Sequence, residues 1–474
     1  MKIFKYLMIA VAALLTATAC SDDDSVNVSN PKLQFCAVND TMTVVSQLTF
    51  MNWESFQMVD VQANTNWQLV CDADWITLSN HSGVPMSGKT LHLKVTVAEN
   101  STGNERSADI MLSGNGMSSK ITIIQKASYN DPSGWISAHD ASNAMKIGLN
   151  LYNTLDAYGT WFDWTGDPIE TFQTCWGNPL VTADWFNAVK ANGFNAVRIP
   201  VTWFPHTDEN FQVTEKWMNR VEEVVKYGLD AGLYVIINVH HDTGGEWLSA
   251  DLSNIDEISA KYVNLWTQIA TRFEKYGDHL MFESYNEILD ENKSWVNAKG
   301  DAYIAVNQLA QTFVNTIRES GGNNKHRNLI VNTYCASGSH EMLDPFVIPT
   351  DETPVHLMVE VHNYSPAAFA KMTVDWDDND IPVWTEEFEK TLADELDILI
   401  DYSNTNHIPI IIGEFAANDK IAEEERAKYG EFMVTYCRKN ANISLFYWNE
   451  IISRTTFTPT YPLLMNALLK AKEY

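Results

Sequence analysis

The sequence predicts an α/β protein: a (β/α)8 TIM barrel preceded by a small all-β sandwich. Two observations support this division of the 474 residues. From Lys32 to Ala127, short runs alternate apolar and polar residues between clusters of Gly, Asn and Ser, a pattern typical of a sandwich. From Lys146 onward, eight apolar strand candidates alternate with helical stretches, which favours a closed parallel barrel.

The first twenty residues are typical of a lipoprotein signal peptide (1–20). Lys2 and Lys5 precede an apolar run that is too short for a comfortable transmembrane helix. The run ends in Thr18-Ala19-Cys20, which resembles a bacterial lipoprotein cleavage site, although Ala17 stands where Leu is usual. Cys20 is therefore the predicted lipidation site, and a plain signal peptide that happens to hold a cysteine is the alternative.

Residues 21–30 are small and polar, and we expect them to form a flexible tether. The acidic segment Ser21–Asp24 resembles the surface-export tail of some gram-negative lipoproteins. We therefore expect a secreted lipoprotein that is anchored in the outer membrane and exposed at the cell surface.

The composition narrows the range of partners. The net charge of −29 is spread along the chain without a Lys/Arg-rich run, which argues against nucleic acid and against anionic polymers but not against neutral ones. Sixteen Trp and eighteen Tyr exceed what cores usually need, so some rings are expected to stack on sugars. The cysteines after Cys20 are odd in number and scattered, which indicates neither a disulfide framework nor a zinc motif. Cys36 and Cys71 form the only pair close enough in sequence for a local bridge.

Residues 31–127 form the predicted sandwich, followed by a linker (128–142) and the barrel domain (143–474). Clear alternating runs are Val59–Ala63, Leu91–Val97, Ala108–Leu112 and Lys120–Ile124. Asn66-Trp67, Asp74-Trp75-Ile76 and the closing Ile123-Ile124-Gln125 resemble the BACON family of β-sandwich modules. That resemblance implies either carbohydrate or mucin binding or a spacer between enzyme and membrane. Because Trp67 and Trp75 each lie in an alternating strand, we expect them in the core and favour the spacer.

The barrel strands are predicted at Lys146–Asn150, Asn195–Pro200, Tyr234–His240, Leu280–Glu287, Leu329–Thr333, His356–His362, Pro409–Glu414 and Leu445–Trp448. Helices are predicted at Trp217–Ala231, Tyr262–Tyr276, Asp301–Gly321 and Glu423–Asn440. A doubly wound sheet is the structural alternative, but neither a GxGxxG motif nor a P-loop supports it.

Polar residues gather where these strands end. Because the chemistry of such barrels takes place at the carboxyl ends of the strands, this set predicts an active site. The tip residues are Asn150, Arg198, Asn238, His240, His241, Asn286, Glu287, His362, Tyr364, Glu414 and Trp448.

Two carboxyl groups can cleave a glycosidic bond when one protonates the leaving oxygen and the other attacks the anomeric carbon. We expect Glu414 to be the nucleophile, kept ionised with help from Arg198 and oriented by the Tyr364 hydroxyl. Glu287 is expected to be the acid/base, with Asn286 hydrogen-bonding the sugar 2-hydroxyl and Trp448 forming the floor of the −1 site. For retention the two carboxyl groups should lie roughly 5–5.5 Å apart.

Several runs together resemble glycoside hydrolase family 5, and most closely its endo-β-1,4-glucanase/xyloglucanase-like subfamily. The matching runs are Asn153–Ala157, Cys175–Pro179, Gly193–Trp203, Ile237–Asp242, Phe282–Glu287, Val361–Pro366 and Ile412–Phe415. The resemblance implies the same roles for Glu287 and Glu414, and it places Asn150, Arg198, His240, His241, Asn286, His362, Tyr364 and Trp448 around the −1 subsite. Two departures are Ile288, where Pro is common, and Asn449-Glu450-Ile451 in the loop after strand eight.

The function predicted from these residues is a retaining endo-β-1,4-glycanase that hydrolyses neutral plant cell-wall β-glucans (cellulose-type, xyloglucan or mixed-linkage) without a cofactor. A xylanase or mannanase of the same family and a non-catalytic glycan-binding barrel are the alternatives, whereas an esterase would need a GxSxG motif. No metal is expected at His240-His241, because adjacent strand residues point to opposite sides. Glu283 is expected to pair with a buried basic group, and Trp161 and Trp164 either line the sugar site or pack in the core.

Overall fold

The computed structural model describes residues 32–50, 52–85, 90–127, 133–159, 166–296, 298, 300–370 and 381–473. The predicted signal peptide with Cys20, the tether, and the loop residues Trp161 and Trp164 lie outside the described residues.

The N-terminal unit is an all-β sandwich, as predicted. Its strands are β1 (Leu33–Ala37), β2 (Asp40–Val44), β3 (Gln47–Phe50), β4 (Ser55–Ala63), β5 (Trp67–Val70), β6 (Ile76–Leu78), β7 (Ser82–Gly83), β8 (Leu91–Val97), β9 (Arg106–Gly114) and β10 (Met117–Gln125). They form two five-stranded sheets, in the orders β2-β1-β4-β8-β6 and β3-β10-β9-β5-β7. Trp67 is buried in the core between them, as expected. Trp75 is only half-buried and lies at the edge of the core, with the Arg106 guanidinium 4.4 Å from its ring centroid.

The second unit is a closed barrel in which each strand pairs in parallel with the next, and the last pairs with the first. This arrangement confirms the predicted fold. The strands are β11 (Ile147–Asn150), β12 (Ala196–Ile199), β13 (Tyr234–Ile237), β14 (Leu280–Glu283), β15 (Leu329–Ser337), β16 (Leu357–His362), β17 (Ile410–Phe415) and β18 (Ser444–Tyr447).

Apart from the first, which lies at the bottom, the helices lie around the barrel, and the longer ones bury apolar faces against the outside of the strands. They are α1 (Ala138–Met145), α2 (Ile169–Thr174), α3 (Ala183–Ala191), α4 (Glu215–Asp230), α5 (Ile255–Phe273), α6 (Gly300–Glu319), α7 (His340–Leu343), α8 (Ala367–Ala370), α9 (Glu386–Asn406), α10 (Glu423–Ala441) and α11 (Pro462–Ala471). All four predicted helices are present; α5 begins seven residues before its predicted start, and the other ends agree to within three residues. None of the helices in the described part of the chain is both long and apolar enough to span a bilayer.

Helix α1 begins within the segment that was predicted to be a linker. Ser137 caps the helix by accepting a hydrogen bond from the Asp140 backbone N–H. Ala138, Ala141 and Met145 are buried against the inward-facing residues at the start of the barrel strands. The prediction that residues 128–142 form a linker is therefore wrong from Ser137 onward, because this segment closes the bottom of the barrel.

The sandwich packs against the same end of the barrel. The Trp53 ring stacks on His139 of α1, with centroids 3.9 Å apart. Asn404, near the C-terminal end of α9, donates a hydrogen bond of 2.7 Å to the Phe56 carbonyl of β4. Since α9 runs back from the top of the barrel to its bottom, both contacts lie at the end where the strands begin. All five cysteines in the described residues are free, so Cys36 and Cys71 are not bridged.

Candidate active site

Two of the barrel strands end earlier than predicted. β13 ends at Ile237 and β14 at Glu283, so the residues expected on strand tips lie on the loops that follow. The backbone there forms irregular cross-links instead of a ladder: the Asn286 N–H donates to the Val239 carbonyl, and the His240 N–H donates to the Val201 carbonyl. These links hold the loops of neighbouring strands in fixed positions at the barrel mouth.

The two predicted catalytic carboxyl groups face one another there. A carboxylate oxygen of Glu287, a ring nitrogen of His362 and a carboxylate oxygen of Glu414 all lie within 4.8 Å of one another. Side-chain exposure is 24% for Glu287 and 6% for Glu414, so the first is the more accessible to solvent. The two carboxyl groups are therefore close enough to act on the same glycosidic bond.

Glu414 is held by three neighbours. Arg198 Nη1 donates to its Oε1 at 2.8 Å, and the Tyr364 hydroxyl donates to its Oε2 at 2.9 Å. His362 Nδ1 lies 3.6 Å from Oε2. Burial raises the pKa of the Glu414 carboxyl above its ordinary value, and the positive charges of His362 and Arg198 oppose that rise. The hydroxyl and the guanidinium therefore fix the orientation of both carboxylate oxygens.

Arg198 organises the floor of the site and is itself fully buried. Its Nε and Nη2 donate to the two oxygens of Glu283 at 2.6 and 2.8 Å, and this confirms the prediction that Glu283 pairs with a buried basic group. Its remaining donors reach Asn150 Oδ1 at 3.0 Å and Asn286 Oδ1 at 2.9 Å. The guanidinium therefore sets the orientation of both amide side chains, and the Asn286 amide N–H2 makes no hydrogen bond to another described residue.

The comparisons with known proteins agree with this geometry. A sequence model described as Cellulase (glycosyl hydrolase family 5) matches residues 155–451. The chain belongs to glycosyl hydrolase family 5. The BACON model, described as a putative N-terminal binding domain, matches residues 65–126.

Among curated family 5 relatives, Endoglucanase A of Clostridium longisporum is 35% identical over 336 residues, which make up 70% of this chain and 63% of that protein. Cellulase/esterase CelE of Acetivibrio thermocellus is 37% identical, over 71% of this chain and 40% of that protein. The chain thus spans less than two thirds of the length of these two relatives. The xyloglucan-specific endo-beta-1,4-glucanase of Bacteroides ovatus is 30% identical over 88% of both chains.

The solved structures show the same likeness. The family 5 enzyme of Prevotella bryantii, in complex with a xyloglucan tetradecasaccharide, is 38% identical with a TM-score of 0.65, and the match covers 71% of this chain and 99% of that one. The Bacteroides ovatus xyloglucanase, in complex with a heptasaccharide, is 26% identical with a TM-score of 0.63, covering 94% of this chain and 100% of that one.

Aromatic rings line one side of the family 5 site. Trp448 follows β18, and its ring lies parallel to His240 with centroids 5.8 Å apart. Tyr152 packs at an angle to Trp448, also at 5.8 Å. Tyr158 and Trp176 pack around His241 at 5.6 and 5.3 Å. Of these Trp and Tyr rings, only Trp448 was predicted from the sequence to lie at the site. Trp176 could also have been predicted, because it belongs to the Cys175–Pro179 run that resembles the family.

The two adjacent histidines do not point to opposite sides. Nitrogen atoms of His240 and His241 and an oxygen of Asp156 lie within 4.8 Å of one another. The expectation is wrong because β13 ends at Ile237, so strand alternation no longer applies at these residues. Burial lowers the pKa of His241 to about 4 and that of His240 well below its usual range, so both rings are neutral. Both Asp156 oxygens already accept hydrogen bonds from backbone N–H groups of their own loop. The close approach of these three side chains therefore does not by itself indicate a metal site.

The altered loop after β18 is held by its own polar residues. Asn449 donates to Asp419 Oδ2 at 2.9 Å, and Glu450 accepts from the Arg454 backbone N–H at 2.9 Å. Ile451 is buried, and the Arg454 guanidinium lies 4.7 Å from the ring centroid of Tyr152. The altered loop therefore leaves Trp448 in place, and its Arg454 packs against Tyr152, which in turn packs against Trp448.

Proposed function

We propose that this protein is a retaining endo-β-1,4-glucanase that hydrolyses plant cell-wall β-glucans by double displacement. The close approach of Glu287 and Glu414 beside His362 carries the proposal. Glu414 attacks the anomeric carbon while Glu287 protonates the leaving oxygen, which gives a covalent glycosyl-enzyme. Glu287 then takes a proton from water, the water oxygen bonds to the anomeric carbon, and Glu414 leaves with its electron pair.

The neighbouring residues suit these steps. Arg198 and Tyr364 hold the two oxygens of Glu414, so the nucleophile needs little reorganisation to attack. The Asn286 amide is fixed by Arg198 and can donate to the 2-hydroxyl of the sugar in the −1 site. Trp448 offers a flat apolar face on which that sugar can stack.

A neutral β-glucan is the proposed substrate class. The net charge of −29 disfavours anionic polymers, and the relatives reported above are described as endoglucanases and a xyloglucan-specific endoglucanase. A xylanase or mannanase specificity would need the same catalytic pair and a different fit of the loops.

A polysaccharide panel with product sizing tests the proposal. We expect xyloglucan, mixed-linkage glucan or carboxymethylcellulose to yield oligosaccharides with a rapid fall in polymer length, and NMR to show the β-anomer as the first product. The Glu287→Gln protein serves as the folded control for background activity. A first-formed α-anomer would contradict double displacement, and a wild-type chain that binds glucan without cleaving any β-linked polymer would support a glycan-binding barrel.

We also propose that the chain is a lipid-anchored surface protein in which the sandwich is a spacer. The sandwich contacts the bottom of the barrel through Trp53 and Phe56, so the catalytic mouth opens at the opposite end from the sandwich. A module in that position is poorly placed to deliver a glycan to the site. Incorporation of labelled palmitate into the wild type but not into Cys20→Ala tests the anchor, and surface exposure is tested by protease treatment of whole cells.

A further inference from the structure

β16 carries a buried carboxyl group that the mechanism above does not use. Glu360 is fully buried and lies between Met358 and His362 on the inward-facing side of the strand. On the neighbouring strand, a Cβ at Gly413 would overlap Glu360 Oε1. Because Gly413 has no side chain, the carboxyl group of Glu360 can occupy the space beside it.

The contacts of Glu360 suit a neutral acid better than an anion. Its Oε1 lies 3.3 Å from His362 Nε2 and 3.4 Å from Arg198 Nε, but that Nε already donates to Glu283 at 2.6 Å. Its Oε2 accepts no hydrogen bond from the described residues, whereas the neighbouring Glu283 carboxylate can accept the proton of a neutral Glu360. An anion with so few donors is unfavourable in the protein interior. Burial and the negative charge of Glu283 accordingly raise the pKa of Glu360 to about 8.

His362 connects this group to the acid/base. Its Nδ1 lies 2.8 Å from Glu287 Oε1, and its Nε2 faces Glu360. Burial lowers the pKa of His362, but the carboxyl groups of Glu414, Glu287 and Glu360 outweigh burial and raise it to about 10. Because Glu414 makes the largest of these contributions and stays ionised, the ring is an imidazolium whose two N–H groups face Glu287 and Glu360.

The charges balance only when Glu360 is neutral. In the form that can attack substrate, Glu414 and Glu283 are anions and Arg198 and His362 are cations, while Glu287 holds its proton. Two cations then face two anions in a buried cluster. An additional anion at Glu360 would leave the cluster with an uncompensated charge.

We propose that Glu360 is a positioning residue whose uncharged carboxyl group accepts the Nε2–H of His362 and keeps the imidazolium directed at Glu287. The inference rests on the proposed role of Glu287 as the acid/base. It predicts that loss of the acceptor at Glu360 weakens protonation of the leaving group more than it weakens nucleophilic attack.

The test compares kcat/KM for two aryl β-cellobiosides in the full chain. Dinitrophenolate leaves without a proton, whereas unsubstituted phenolate needs one from Glu287. Glu360→Gln keeps a neutral acceptor of the same size, and we expect both values to stay within about threefold of the wild type. Glu360→Leu removes the acceptor, and we expect the phenyl substrate to lose at least about tenfold more than the dinitrophenyl substrate.

Asn332→Leu is the matched control. Asn332 is also buried on the inward side of the barrel, in register with Glu360 on the neighbouring strand β15, but its side chain accepts a hydrogen bond from the Ser284 hydroxyl and provides no acceptor for His362. The Asn332→Leu substitution should reduce thermal stability without changing the ratio of the kcat/KM values for the two substrates. If Glu360→Leu does not fold, Glu360→Asp withdraws the acceptor by one methylene group and should show the same selective loss.

The inference is overturned if Glu360→Leu keeps the wild-type ratio of kcat/KM values for the two substrates. It is also overturned if Glu360→Gln loses as much kcat/KM on the phenyl substrate as Glu360→Leu does. Glu287→Gln, measured in parallel, separates this failure from failure of the proposed function. If that variant shows no selective loss on the phenyl substrate, or if the wild type cleaves neither substrate, the proposed role of Glu287 is wrong.

Discussion

The lower and upper layers of the barrel interior are built from the same strands but from opposite kinds of residue. At the bottom, Met281 and Met358 face the axis within an apolar cluster closed by α1. Two residues further along the same strands, Glu283 and Glu360 face the axis within a buried charge network around Arg198. The difference shows that the apolar packing of the lower interior gives way, two residues further along the strands, to the polar network of the candidate active site.

The largest expected effect on activity comes from substituting Glu414 or Glu287 in the upper layer. Glu414→Gln and Glu287→Gln should each lower kcat/KM on β-glucan by at least about 1,000-fold, since each removes a group that takes part directly in bond cleavage. The melting temperature should stay within a few degrees of the wild type. Reducing-sugar assays and thermal unfolding check this, and near-wild-type activity in either variant would refute the assignment.

Arg198→Lys should damage both activity and stability. A lysine cannot donate to Glu283 at two points and also reach Glu414, Asn150 and Asn286, so buried carboxylates lose their partners. We expect a loss of about 3–5 kcal/mol in the free energy of unfolding, together with a large fall in kcat. Denaturant titration and steady-state kinetics measure the two effects. An unchanged kcat in a stably folded variant would show that the guanidinium does not orient the nucleophile.

Met281→Ala provides the matching change in the lower layer. It leaves a cavity in the apolar cluster, and we expect a loss of about 2–5 kcal/mol in the free energy of unfolding. Because Met281 packs in the apolar cluster below the polar layer, kcat of the folded protein should stay within about twofold of the wild type. A selective fall in kcat without loss of stability would contradict the separation of the two layers.

The pH dependence of stability gives a further contrast, because it is expected only from the upper layer. The pKa of His362 is raised from 6.5 to about 10 in the folded protein, so its stabilising contribution is complete below pH 6.5 and is lost as the pH rises toward 10. The stability difference between the wild type and His362→Gln should therefore narrow by up to about 1.4 kcal/mol per pH unit in that window. The difference between the wild type and Met281→Ala should stay constant, which unfolding at several pH values can establish.

The apolar lower layer made the barrel predictable from sequence. Each strand begins with a short apolar run, and those runs, separated by helical periodicity, gave the strand order of the closed barrel. The meeting of Glu287 and Glu414 at the barrel mouth was predictable for a related reason, because each lies at or shortly after the carboxyl end of such a run. Glu283 was also correctly predicted to pair with a buried base, since a charge inside an apolar strand needs a partner.

Other features depended on contacts that a pattern does not show. The ends of β13 and β14 are set by cross-links such as that from Asn286 to Val239, and this is why the His240-His241 geometry was wrong. The role of α1 was missed because a short helix with few apolar residues resembles a linker until its packing is known. Glu360 was not selected because its position beside Gly413 becomes visible only when β16 and β17 are paired.

Helix α1 also determines where the two domains can be separated. A fragment that starts at residue 143, the boundary predicted from sequence, would lack Ala138 and Ala141 and would expose the apolar floor of the barrel to water. A fragment that starts at Trp135 would keep the capped helix and its packing. Proteolysis or gene truncation that respects this boundary should yield an isolated catalytic unit, whereas a cut only eight residues later should yield an aggregating one.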